Sequence, residues 1–153
     1  MGRCPLCNLF RHSGVRHASP CPTGEGNAAN PLPCPDHAAR VVQMAMAMQQ
    51  DMGKLIEDWT KRGLNLGFGV GISSGYATLG HIGTEEQFRY TAIGSVVNLS
   101  SRLCDQAKSG DILISEPVYA EAEDFVDVEP GGEFTLKGFP MPVSALRVTG
   151  AKD

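Results

Sequence analysis

Between residues 66 and 74 the chain reads Leu-Gly-Phe-Gly-Val-Gly-Ile-Ser-Ser. Leu66, Phe68, Val70 and Ile72 alternate with Gly67, Gly69, Gly71 and Ser73, and a period of two is the signature of a β-strand. One face of this strand is an unbroken apolar row; the other has almost no side chains. A bare face lets a neighbouring backbone come much closer than side chains would allow, so another element must lie against it at short range. The spacing Gly69-x-Gly71-x-x-Ser74 also mimics a dinucleotide-binding loop. That loop opens directly into a helix, whereas residues 76–82 read as strand, so close packing is the preferred reading.

The remaining pattern can be laid out around this strand. Asp36 is a suitable N-cap, and Val41, Ala45, Met48, Met52, Leu55 and Trp59 recur at spacings of four and three, which predicts a helix to about residue 62 with Gly63 as its stop. The methionines at positions 44, 46, 48 and 52 read as core filling rather than as a soft-metal surface. Residues 76–82 and 87–93 read as a strand hairpin with a polar tip. A second helix is expected over 95–108, burying Val96, Leu99, Leu103 and Ala107, with Gly110 after it. A strand over 111–115, a short helix over 116–122 opened by Pro117, and three brief strands near 125–128, 133–137 and 144–148 complete the chain. This order predicts an α+β domain with a largely antiparallel sheet.

The first 36 residues differ in kind. They hold six of the ten prolines and show neither period, so residues 1–30 read as an unstructured or misread leader, 31–148 as the domain and 149–153 as a tail. Four of the five cysteines fall there, and Cys4, Cys7, His12, His17 and Cys21 are enough soft ligands for a tetrahedral zinc site. The segment lacks the glycine that usually turns the backbone over the metal and has no second Cys-x-x-Cys, so an unpacked reduced leader is the preferred reading and no metal ligand is assigned. With 13 Lys+Arg against 17 Asp+Glu the formal charge is −4, which argues against a nucleic-acid coat or a membrane-surface binder. No apolar run is long enough for a membrane span or a secretory signal, and the expected location is cytoplasmic.

The chemistry concentrates in residues 88–102, Phe-Arg-Tyr-Thr-Ala-Ile-Gly-Ser-Val-Val-Asn-Leu-Ser-Ser-Arg. Asn98 and Arg102 stand four apart on the predicted helix, so their Cβ atoms are neighbours about 5–6 Å apart. A carboxamide beside a guanidinium can hold a hydroxyl and a phosphate oxygen together, because arginine offers a planar fork of donors. Thr91, just before the Gly94 turn, carries a hydroxyl able to donate or accept toward a base edge. On spacing alone the same residues also suit a solvated helix face and an ordinary turn.

Three stretches, residues 66–75, Gly80-His-Ile-Gly83, and 90–103, closely resemble the later part of class III adenylate/guanylate cyclase domains. Residues 31–40 and Phe134-Thr-Leu-Lys-Gly-Phe139 fit the bacterial members, and the likeness runs from about residue 28 to residue 148. The resemblance implies a ferredoxin-like α+β sandwich acting as a dimer, with the site between subunits, and so offers a partner subunit as a neighbour for the bare strand and the Phe88/Tyr90 hairpin. It implies conversion of ATP, or less favoured GTP, to the 3′,5′-cyclic nucleotide and pyrophosphate with two Mg²⁺ or Mn²⁺ ions. By position Asn98 resembles the residue that orients the ribose, Arg102 the one that stabilises charge at the α-phosphate, and Lys137 the one that meets the terminal phosphates. Thr91 occupies the purine-selecting place.

The sequence departs from the family at its start. The family's first strand, of Phe-x-Asp-Ile type, and the following Lys-x-x-Gly-Asp hairpin supply the metal-binding aspartates and a purine-contacting lysine, and residues 1–30 contain neither motif. The chain is therefore expected to lack the first strand and the metal-binding hairpin, to carry the ribose and α-phosphate half of a site, and to be inactive alone as a homodimer. The alternative is a non-enzymatic pseudocyclase that docks on or regulates an intact cyclase in a heterodimer. A ferredoxin-like RNA-binding module is disfavoured by the acidic charge and the absence of a basic, aromatic strand motif.

Overall fold

The structure, a computed structural model, describes residues 2–12, 15–20, 36–84 and 87–152. In chain order the elements are β1 (Gly2–His12), β2 (Val15–Pro20), α1 (His37–Lys61), β3 (Phe68–Thr84), β4 (Gln87–Ile93), α2 (Ser95–Gln106), β5 (Ile112–Ser115), α3 (Glu116–Ala122), β6 (Val126–Phe134) and β7 (Val143–Ala151). The strands lie in the order β2-β1-β3-β5-β7-β6, with β4 paired to the far end of β3. The β3–β5 pair is parallel, in register Val70↔Ile112 to Ile72↔Ile114, because the chain returns through α2 between the two strands. The other pairings are antiparallel, which bears out the α+β class.

The alternation along β3 sorts the layers. Phe68, Val70 and Ile72 share a core with Ala38, Val41, Val42 and Ala45 of α1 and with Val118 and Ala122 of α3. Ile112 and Ile114 of β5 join the same side, while Leu113 faces the other and packs with Leu103 of α2 and Ala145 of β7. The sheet thus carries α1 and α3 on one face and α2 on the other. Gln49 fastens α1 to the sheet by donating from Nε2 to the carbonyls of Phe68 (3.3 Å) and Asp111 (3.1 Å). Met46, Met48 and Met52 pack against this core, as expected of core filling, whereas Leu55 near the far end of α1 is 46% exposed.

Several expectations need correcting. Residues 68–84 form one strand rather than two. Its Ser73-Ser74-Gly75 segment makes no turn, because Ser73 and Gly75 are both taken up in contacts with α2. Likewise Pro130-Gly131-Gly132 is a bulge inside β6, with Gly132 at φ +115°, rather than a break between two strands. The proposed tail is largely strand: Ala151 at the end of β7 pairs with Val126, and the Lys152 amide donates to the Phe125 carbonyl at 3.0 Å. Asp36 makes no side-chain capping bond; its carboxylate is engaged by Arg40 Nε at 2.8 Å.

The leader also differs from expectation over its first twenty residues. Strand β1 pairs antiparallel with β3 from Gly2↔Ala77 to His12↔Phe68, and β2 folds back on β1. A strand edge with unpaired amides and carbonyls is a template for any segment that can extend, and β1 covers the edge of β3 that β5 leaves open. Pro5, which has no amide to donate, falls in the register shift between Cys4 and Cys7. A hairpin is therefore present where none was expected, yet residues 2–20 contain no Asp or Glu. The zinc reading included Cys21, which lies outside the described residues; among those described, no group of three potential metal ligands occurs.

Gly71 tolerates no side chain, since a Cβ there would stand 2.3 Å from the Cys104 amide nitrogen and 2.6 Å from the Ser100 carbonyl oxygen. Gly71→Ala is expected to destabilise the domain by about 3 kcal/mol in a denaturant melt, because helix backbone must move to admit the methyl group. Gly53→Ala, on an open stretch of α1 where a Cβ meets nothing within 4 Å, is expected to stabilise it by about 0.5–1 kcal/mol. Equal effects at the two positions would contradict the packing described.

Candidate active site

The neighbour demanded by the bare strand face is the chain's own helix α2, not a partner subunit. From Gly67 into β3 the small residues meet α2 and the segment that follows it in reverse order. Gly67 lies against Ser109, Gly69 against Ala107 and Lys108, Gly71 against Ser100 and Cys104, and Gly75 against Val96. Between them Ser73, fully buried, donates from Oγ to the Val96 carbonyl at 2.8 Å, and Cys104 Sγ approaches the Gly69 carbonyl at 3.6 Å. Gly94 starts the helix from an extended conformation; a Cβ there would sit 2.9 Å from the Tyr76 carbonyl oxygen. Its role is therefore close approach rather than an unusual dihedral.

This contact fixes which residues of α2 face outward. Val96, Ser100, Leu103 and Cys104 are buried, a face one notch away from the expected set in which Leu99 and Ala107 were counted; both are half-buried at its edge. Asn98 is left exposed, and Arg102, one turn on, has a side chain 36% exposed. The two predicted polar residues thus share the outer face of a helix whose inner face is locked to the sheet. Asp105 joins them a further turn along: its Oδ2 stands 3.6 Å from Arg102 Nη1. Sequence reasoning passed over Asp105, although its i+3 offset from Arg102 was visible as a helical ion-pair spacing.

Lys137 occupies an exposed turn after β6. Leu136 before it is buried, Gly138 after it has φ +93°, and the Phe139 amide closes the turn on the Leu136 carbonyl at 3.0 Å. Phe134, three residues earlier, packs against the cluster of Leu103, Leu113 and Ala145, and Leu99 of α2 packs against the same cluster. Thr91 stands in β4 in register with Gly80, three residues before Gly94; its side chain lies outside the described residues.

A family model for the adenylate and guanylate cyclase catalytic domain matches residues 26–147. The chain belongs to this family. The cyclase domain is 32% identical over 127 residues to an uncharacterized protein of Mycobacterium tuberculosis, an alignment that covers 80% of this chain and 22% of that protein. It spans about a fifth of the length of the curated relatives it matches. Among solved structures it is similar to the adenylyl cyclase CyaB of P. aeruginosa, with TM-score 0.74 and 31% identity over 95% of this chain and 73% of that one. It is also similar to the guanylyl cyclase Cya2, with TM-score 0.72 and 31% identity over 80% of this chain and 63% of that one.

Because Asn98 and Arg102 face outward from a helix held at its other side, the cyclase domain should fold without them. Asn98→Ala and Arg102→Ala are expected to change stability by no more than about 0.5 kcal/mol, the usual scale for surface positions. Leu103→Ala, at a fully buried site between α2 and β5, is expected to cost about 3 kcal/mol. Thermal or urea melts of the three variants separate the two classes.

Proposed function

We propose that this domain supplies the ribose and α-phosphate half of a composite nucleotide cyclase site, with ATP as the preferred substrate over GTP. The observation that carries the reading is the pairing of Asn98 and Arg102 on the open face of α2 in a cyclase-family chain. In the reaction the ribose 3′-hydroxyl oxygen forms a bond to the α-phosphorus, the bond from that phosphorus to the bridging oxygen of the β-phosphate breaks, and the hydroxyl proton passes to water as pyrophosphate departs. Asn98 orients the ribose through its carboxamide. Arg102 takes the negative charge that grows on the α-phosphate oxygens, a contribution made mainly in the transition state. Lys137 meets the terminal phosphates as a point charge, and Thr91 contacts the purine edge.

The two metal ions that the family resemblance implies do not fit strands β1 and β2, and among the described residues no group of three potential metal ligands occurs. Hard divalent cations of this kind take carboxylate oxygens. Strands β1 and β2, which cover the edge of β3, bear none. The metal-binding half is therefore assigned to a partner cyclase subunit, and the active species is a heterodimer. A nucleoside triphosphate substrate implies a cytoplasmic domain; among the described residues no helix is long and apolar enough to cross a membrane.

The purified chain alone is expected to make no cyclic nucleotide from ATP or GTP with Mg²⁺ or Mn²⁺. Mixed with a cyclase subunit whose metal aspartates are intact but whose own asparagine and arginine are disabled, it is expected to restore turnover. In that heterodimer Arg102→Ala should lower kcat about a hundred- to a thousandfold while changing KM little. Thr91→Ala should shift the ATP-to-GTP preference by about tenfold or less, the scale of one neutral hydrogen bond. A heterodimer that forms by light scattering yet yields no product would replace this reading with that of a non-enzymatic pseudocyclase partner, which the carboxylate-free hairpin also suits.

A further inference from the structure

We infer that Asp105 is a positioning residue for Arg102, holding the guanidinium where it can receive the α-phosphate; the inference rests on the half-site reading above. Three helical ion pairs with i,i+3 spacing occur among the described residues, and they are not alike. In Lys54–Asp51 (3.4 Å) the side chains are 79% and 78% exposed, and in Lys61–Asp58 (3.2 Å) they are 73% and 63% exposed, so both pairs, though shorter than Arg102–Asp105, stand in solvent that screens them. In Arg102–Asp105 the exposures fall to 36% and 20%. Asp105 follows Leu103 and Cys104, which are buried against β5 and β3, so its carboxylate stands on a part of α2 that is packed to the sheet.

The direction of the pairing matters. Long side chains on a helix lean toward its N-terminus, which for Arg102 is toward Asn98. Asp105 lies on the C-terminal side and draws the guanidinium the other way, keeping space beside the Asn98 carboxamide for a ribose. At 3.6 Å the contact is an ion pair that orients the guanidinium by charge rather than a hydrogen bond, so the fixed fork of N–H donors can still reach phosphate oxygens. An arginine already placed before charge develops needs little reorganisation at the moment of reaction, which is where such a group is most effective.

The test combines kinetics in the complementing heterodimer with a measurement on the isolated chain. Asp105→Asn is expected to lower kcat about three- to tenfold with KM within about twofold, less than the roughly hundredfold that a displacement of about 1 Å can cost. Asp105→Glu, which restores the charge, is expected to recover most of that loss. The Asp105→Asn effect is expected to vanish in an Arg102→Ala background, because a residue acting through another has nothing to act on once that partner is gone. In the isolated chain, NMR of the Arg102 guanidinium should show hindered rotation about Nε–Cζ that is lost in Asp105→Asn. Normal kcat in Asp105→Asn where Arg102→Ala is impaired, an undiminished loss in the double variant, or unchanged guanidinium rotation would each overturn the role of Asp105 while leaving the half-site intact. Full activity in Arg102→Ala would overturn the half-site reading, and the role of Asp105 with it.

Discussion

The contact between the glycine face of β3 and helix α2 governs how the rest of this molecule is arranged. At Gly71 the helix backbone comes so close that an added methyl group would overlap it, Gly69 and Gly75 admit the segment after the helix and the Val96 side chain, and Ser73 fills its place with a hydrogen bond into the first turn. Contact along the whole helix leaves little freedom to roll or slide. The outer face of α2 is thereby a fixed platform, and the orientation of Asn98 and Arg102 is set by glycines whose Cα atoms lie on the other side of the helix.

A platform of this kind suits chemistry in which charge appears late. The groups on its outer face are the Asn98 carboxamide and the Arg102 guanidinium, with Asp105 as the acidic neighbour of the guanidinium. The hairpin β1–β2, on the far side of β3 from β5, is barren of carboxylates. On the half-site reading, one side of a nucleotide site is furnished by α2 and the metal-binding side has no carboxylate in residues 2–20, an asymmetry that under that reading favours a pair of unlike subunits.

Much of this was legible in the sequence. The period of two with glycine in every second place announced a strand with a close neighbour, and the spacing of four between Asn98 and Arg102 put both on one helical face. The identity of the neighbour was not legible, because the strand and its helix are separated by β4 and the pairing is a long-range fact. The same gap explains the false break at Ser73-Ser74-Gly75: small polar residues and glycine usually mark a turn, and here Ser73 and Gly75 are small because Val96 sits on them. Pro130-Gly131-Gly132 misled in the same way, being a bulge held by β7. The N-terminal strands carry no clean alternation of their own and owe their conformation to the open edge of β3, which no local pattern reports.

The most direct test is a crystal structure of the complementing heterodimer with a non-cyclising ATP analogue. The half-site reading predicts the nucleotide across the outer face of α2, with the Asn98 carboxamide within hydrogen-bond reach of the ribose and the Arg102 guanidinium on the α-phosphate. A nucleotide bound elsewhere, with that face of α2 against protein or open to solvent, would contradict it.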